Sequence, residues 1–306
     1  MNQTVYHIPA LLPQAMDALD LRPDGIYVDC TYGGGGHSRA IVERLDAAAG
    51  GHLYGFDQDR EAAANAMDDS RFTMVLSNFR YLTNFMRYYG VDAVDGVLAD
   101  LGVSFHHFDD PQRGFSFRWP EGLLDMRMNR NAALTAETVL NTYSPEKLTD
   151  IFRLYGEFSN ARRLVNAIVS ARARAPIRTT DSLLEIVRPI INPRQEKKEL
   201  AQIFQALRIE VNDEIGALRD LLTSALAVLR PGGRLVVITY HSLEDRLVKN
   251  FMKTGNLDGK DNRDFFGHSL APMRMLTSKP IVADDEEVAA NPRSRSAKMR
   301  VAVKND

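Results

Sequence analysis

Residues 28–41 read VDCTYGGGGHSRAI. Four consecutive glycines stand between a short apolar run, 26–28, that ends in Asp29, and a stretch with Ile41, Val42 and Leu45 at helical spacing. A strand, a glycine turn and a helix start in that order make a nucleotide-binding arrangement. Glycine tolerates positive φ and lets a ligand come close to the backbone. A triphosphate loop ends in Gly-Lys-Ser/Thr, but here the fourth glycine is followed by His37-Ser38, which argues against a triphosphate.

Working outward, strand-like runs alternate with helical patterns through the first hundred residues. The runs are 25–30, 52–56 ending in Asp57, 72–76, and 94–99 ending in Asp100. This order implies a parallel sheet with right-handed crossovers, an α/β fold. From 104 to about 196 the strand signal stops. An aromatic, turn-rich stretch, SFHHFDDPQRGFSFRWP, gives way to helical patterns. Apolar residues from Ile203 to Leu229 then recur at three- and four-residue spacing, which predicts one long helix stopped by Pro231-Gly232-Gly233. RLVVITY (234–240) reads as a buried strand, 243–252 as a helix and MRVAVK (299–304) as a last strand. The expected organisation is a discontinuous α/β core, 1–103 with 199–306, interrupted by a mostly helical unit, 104–198.

The 306 residues are 44% hydrophobic and 25% charged, enough for a real core. A net charge of −2 and a pI near 6.4 exclude a generic polyanion binder, so nucleic-acid contacts must come from local basic patches. The single cysteine, Cys30, allows no internal disulfide and suits a reducing cytosol. No leader pattern and no stretch of about 18 apolar residues is visible, so the expectation is a cytoplasmic protein off the membrane.

Two ligand classes fit the glycine loop. Gly33-x-Gly35-x-x-Ser38 approximates a dinucleotide fingerprint, and Asp57 is placed to accept both ribose hydroxyls of NAD or of S-adenosylmethionine alike. A pyrophosphate avoids carboxylates, whereas a sulfonium with an amino-acid tail seeks them. Asp29, Asp57 and Asp100 all end strands on the side where open α/β sheets bind ligands, which favours the cationic ligand. Phe79, after the third strand, is placed to stack on adenine. Asp29 could equally cap the glycine turn, Phe79 could pack in the core, and Cys30 is most simply a buried apolar side chain.

Several strings in the chain are far more specific than a glycine loop. They are HIPALLPQAMDAL, GIYVDCTYGGGGHS, GFDQD, NFRYL, DGVLADLGVS, RGFSFRWPEGLLDMRM, FQALRIEVNDE, PGGRLVVITYHSLEDRLVK and NPRSRSAKMR. Nearly end to end, the chain resembles the bacterial methyltransferases that modify N4 of a cytosine in the decoding region of 16S ribosomal RNA. The resemblance implies a class I S-adenosylmethionine-dependent, Rossmann-like core with an inserted helical domain and no metal. It assigns Gly35, Gly36 and His37 to the methionine part of the cofactor, Asp57 to the ribose and Phe79 to the adenine, with Gly33 a further cofactor-binding candidate in the loop. Asp29 and Asp100 would border the crevice. Two departures stand out. Where the family has Ser-Ser-Pro-Gln, this chain has Ser104-Phe105-His106-His107, so His107 takes the place of a cofactor-contacting glutamine with one hydrogen bond to offer. Residues 198–203, KELAQI, replace His-Pro-Ala-Thr-Arg-Thr and lack its arginine.

An exocyclic cytosine amine is a poor nucleophile, and a carboxylate accepting its N–H would help; Asp100 is the candidate. His241, Glu244 and Arg246 follow the RLVVITY strand beside the same crevice, with Ser242 and Asp245 reading as a helix cap pair. Gln205, Arg208 and Asn212 form a polar stripe on the long helix, either solvated or lining the cleft. Residues 158–180 hold five arginines and no acid. Arg162, Arg163, Arg172 and Arg174, with Arg246, Arg293 and Arg295, are the RNA-contact candidates. Aromatics in 105–119 are either bases' stacking partners or the helical unit's own core. The expected partner is 16S rRNA, in the small subunit or a late assembly particle, and homodimerisation is left open. An NAD-dependent oxidoreductase, another DNA or RNA amino-methyltransferase and a non-catalytic RNA-binding assembly factor are the alternatives.

Overall fold

The computed structural model describes residues 9–102 and 108–306. The chain divides into two compact units. One ends at Gly102 and resumes at Gly216–Asp306; the intervening residues up to Ile215 form the other. The return point is 17 residues later than the 199 expected from sequence, because the helix after Gln195 belongs to the second unit's core.

The first unit begins with α1 (Leu12–Leu19), β1 (Ile26–Asp29), α2 (Gly36–Val42), β2 (His52–Asp57), α3 (Arg60–Ala64), β3 (Phe72–Leu76), α4 (Leu82–Tyr88) and β4 (Val94–Asp100). β4 is buried along almost its whole length, as a central parallel strand of Val, Leu and Ala should be. Asp95 is the polar exception: its carboxylate is tied to Arg22, Arg230 and the Ile26 N–H. Glycine is required at Gly96 and Gly55, where a Cβ would come within 2.9 Å of the Tyr27 ring and 2.6 Å of the Phe72 ring.

The second unit holds α5 (Ala136–Thr142), α6 (Pro145–Leu154), α7 (Ala161–Arg172), α8 (Thr180–Val187) and α9 (Glu196–Asn212). Thr135, Ser144 and Thr179 cap α5, α6 and α8, the last with a reciprocal bond from Ser182. Their inward faces, Leu148, Phe152, Leu164, Ile168, Leu183 and Leu207 among them, make one core. Phe115 is buried in it, and Phe108 and Phe117 pack against it; the Phe117 and Phe204 rings meet edge to face at 5.6 Å. The phenylalanines of the stretch among the described residues therefore belong to the unit's own core.

The single long helix expected from periodicity is two. Asp213 adopts φ 48° and breaks the run, and α10 (Glu214–Val228) starts after it. Pro231-Gly232-Gly233 does not stop that helix either, since β5 (Leu229–Thr239) already contains it. After β5 come α11 (Ser242–Thr254), the short β6 (Met273–Met275) and β7 (Ile281–Val282), α12 (Asp285–Ala290) and β8 (Lys298–Lys304). β6, β7 and α12 had no expectation from sequence. The sheet runs β3-β2-β1-β4-β5-β8-β6. β3 to β5 are parallel, and β8 lies antiparallel between β5 and β6. Strand order reverses between β1 and β4, which puts the ligand crevice of an open α/β sheet at their C-terminal ends. Among the described residues, no helix is long and apolar enough to cross a membrane.

Candidate active site

The glycine loop is built by carboxylates. Asp29, fully buried at the end of β1, accepts from Thr31 N–H and from the Ser38 hydroxyl, at 3.0 and 2.6 Å. Its oxygens fix the turn to α2, which is the turn-holding role weighed for it from sequence. Asp57 reaches from the end of β2 and accepts from Gly33 N–H at 2.9 Å and Asp59 N–H at 2.8 Å. Gly33 and Gly35 have φ of 51° and 74°, a region closed to most side chains. A Cβ on Gly35 would sit 2.7 Å from the Tyr32 hydroxyl, and one on Gly36 would sit 2.8 Å from Pro9. The loop is thus bare because its walls are close, and the carboxylates at the strand ends suit a cationic ligand. These residues fit S-adenosylmethionine.

Asp100 ends β4. Its N–H donates to the Thr31 hydroxyl, so the β1 and β4 ends are stitched together. Its Oδ1 accepts from the Tyr240 hydroxyl at 2.8 Å. Its Oδ2 lies 3.7 Å from His37 Nδ1 and, among the described residues, accepts no hydrogen bond. Burial pushes the carboxyl up to about 6; His37 and the Tyr240 hydroxyl pull it down, while Asp29 and Glu244 push it further up. His37 is buried, with Nε2 3.1 Å from the Ala10 carbonyl oxygen and Nδ1 turned toward Asp100 Oδ2.

His241 itself is the N-cap of α11, accepting from Glu244 N–H with Nδ1; the pair Ser242 and Asp245 is not the cap. Asp245 instead binds Arg300 through two hydrogen bonds, the shorter 2.6 Å. Glu244 is buried, accepts from Tyr240 N–H at 3.2 Å, and brings Oε1 to 3.1 Å from His241 Nε2, out of line for a hydrogen bond. Asp29, His37, Asp100, Tyr240 and Glu244 are thus one electrostatic cluster. Sequence reasoning missed Tyr240, Thr31 and Ser38. Tyr240 had a positional signal, a polar ring directly after a buried strand; the two hydroxyls had none.

Phe79 starts a short turn after β3, half-buried, behind Asn78, whose side chain caps the turn and donates to Gln58. His107 lies outside the described residues. Of the arginines, Arg162 and Arg174 are exposed on or just past α7, and Arg163 is exposed with a long 3.5 Å bond to the Pro189 carbonyl. Arg172 is half-buried, and its Nη1 donates to the Leu140 and Tyr143 carbonyls, both at 2.8 Å. Arg246 and Arg295 are exposed and Arg293 is half-buried, while the neighbouring Arg300 is buried against Asp245. The polar stripe of α9 is also internal. Gln205 donates to the Tyr155 carbonyl, Arg208 forks onto Glu214, and Asn212 donates to the Met126 carbonyl and accepts from Met128 N–H.

A parallel sheet of this order with an antiparallel strand beside β5, a glycine turn after β1 and acids ending β1, β2 and β4 define a class I S-adenosylmethionine-dependent methyltransferase. Comparison with known proteins narrows this: the MraW methylase family matches residues 4–305, and the chain belongs to that family. A relative from Parabacteroides distasonis is 60% identical over 99% of both chains, and one from Phocaeicola vulgatus 59% identical over 98% of both. Each is named Ribosomal RNA small subunit methyltransferase H. Among solved structures, an rRNA methylase from Streptococcus thermophilus aligns over 96% of this chain and 94% of its own, with 11% identity and a TM-score of 0.40.

Proposed function

We propose that this methyltransferase acts on the exocyclic N4 amine of a cytosine in the decoding region of 16S ribosomal RNA, within the small subunit or a late assembly particle. The names of the relatives support an rRNA substrate, and the resemblance of the RGFSF, LDMRM, HSLEDR and NPRSRSA strings supports the cytosine amine. The observation that carries the chemistry is Asp100, a half-buried strand-end carboxylate with one oxygen engaged by Tyr240 and, among the described residues, the other accepting no hydrogen bond.

Gly33, Gly35, Gly36 and the His37 backbone would hold the methionine part of S-adenosylmethionine, Asp57 the ribose and Phe79 the adenine. When bound, S-adenosylmethionine supplies an electrophilic methyl group. The chain's own part is alignment, and acceptance of the proton that the amine must lose. Asp100 Oδ2 accepts the amine N–H; as positive charge develops on nitrogen, the carboxylate stabilises it and takes the proton. His241 and Glu244, which follow Tyr240 at the start of α11, would shape the acceptor side. Exposed Arg162, Arg163 and Arg174, with Arg246, Arg293 and Arg295, supply phosphate contacts that give affinity without reading sequence.

The test is methylation of small subunits from a strain lacking this protein, with the modified nucleoside identified by mass spectrometry. N4-methylated cytidine is expected. A methylated product on another nucleoside, or on DNA in preference to the subunit, overturns the substrate reading.

A further inference from the structure

Neither the glycine loop nor the substrate reading assigns a role to Tyr240, yet three elements converge on it. Its hydroxyl donates to Asp100 Oδ1 at 2.8 Å. Its backbone N–H is held by Glu244 Oε2 from α11 at 3.2 Å. Its ring lies against the backbone of Gly102, where a Cβ would stand 3.3 Å from the ring and where φ is 116°. Gly102 therefore lets the ring lie flat beside the end of β4.

We propose that Tyr240 is a positioning residue for methyl transfer: its hydroxyl claims Oδ1 of Asp100, so that Oδ2 alone meets the acceptor amine. This rests on the reading that Asp100 takes the amine proton. A carboxylate free to turn offers either oxygen; one clamped at Oδ1 offers a single lone-pair direction, the preorganisation that an in-line displacement needs. The hydroxyl also favours the ionised carboxylate, alongside His37 from α2 and against Asp29 from β1 and Glu244 from α11. Tyr240 itself stays protonated, since burial and Asp100 both raise its phenol.

The bond and proton balance is simple. The amine N–H breaks, the methyl–nitrogen bond forms, the methyl–sulfur pair returns to sulfur, and the proton ends on Oδ2. Asp100 must therefore be ionised before each turnover, and activity falls below its titration.

Tyr240→Phe removes the clamp and little else. With Asp residues carrying a 13C-labelled carboxyl, the Asp100 resonance is identified by its loss in Asp100→Asn. It should titrate about one pH unit higher in Tyr240→Phe than in wild type, a reading that needs no RNA. The acid limb of the single-turnover rate on unmethylated small subunits should move up by the same amount. That is about a tenfold loss at a pH below both limbs. S-adenosylhomocysteine affinity and melting temperature should stay near wild type. An unmoved Asp100 titration, or an unmoved limb with wild-type rate, overturns the role of Tyr240. If Asp100→Asn keeps full rate, Asp100 is not the proton acceptor and both the reading and this inference fall. If Asp100→Asn is inactive while Tyr240→Phe is unchanged, only the inference falls.

Discussion

Asp100 carries a conflict between stability and use. Its carboxyl is raised to about 6 mainly by burial, so the native state holds a proton that the unfolded chain would release near its ordinary value of 3.8. The sign follows: the stability from that retained proton is fully present below about pH 4 and is lost as pH rises through about 6. At pH 7.5 the wild type bears an ionised, partly desolvated carboxylate that an amide would not. Asp100→Asn should therefore be more stable than wild type at pH 7.5, by up to about 3 kcal/mol, with the gap closing below pH 4. Denaturant melts at both pH values would show it, and the variant should have lost turnover. Asp57 holds the loop through Gly33 N–H, and the ribose role proposed for it can be separated from that hold. Asp57→Ala should weaken S-adenosylhomocysteine by roughly 1.5–3 kcal/mol, with Asp57→Asn in between, because the amide oxygen still accepts from Gly33 N–H. Calorimetry that finds unchanged affinity for Asp57→Ala would remove it from the ribose site. Asp29, Asp57 and Asp100 were legible as strand ends in the sequence. Which of them holds the turn was not, because that depends on where the Ser38 hydroxyl and the Thr31 N–H point.

At the level of elements, alternating strands and helices of the core were readable because each buried strand carries its own apolar run. The break at Asp213 was not. The apolar spacing continues across it, and an aspartate in left-handed backbone leaves no mark on periodicity. Such a site favours glycine and tolerates aspartate but penalises a β-branched residue. Asp213→Gly should be near neutral, whereas Asp213→Val should cost about 1–2 kcal/mol in chemical denaturation. Equal stability of the two variants would mean the α9–α10 junction does not require that backbone. The Pro231-Gly232-Gly233 misreading has a related cause. A helix-stop signal says where a helix cannot continue, not that the strand has yet to start, and here β5 begins at Leu229.

Over the whole molecule, a net charge of −2 means RNA affinity must come from few groups. Arg162→Ala, Arg163→Ala and Arg174→Ala should each lower the slope of log K against log salt by about one where a phosphate contact is lost. Arg172→Ala should leave the slope alone and destabilise the helical unit by about 1.5–3 kcal/mol, since it frees the Leu140 and Tyr143 carbonyls. If none of the exposed three changes the slope, Arg293 and Arg295 become the next surface to test. A last consequence lies in the pairing of β4 with β5, in which Val94 meets Leu229 and Asp100 meets Ile238. In chain order, the helical unit is inserted between two strands that pair directly at the middle of the sheet. Closing so long a loop adds little to its equilibrium cost, because that cost grows only with the logarithm of length. It weighs on time instead: pairings between distant residues form slowly. During refolding, β1 to β4 should gain amide protection before β5 joins them, leaving the β4 edge open to mispairing while the intervening helices assemble.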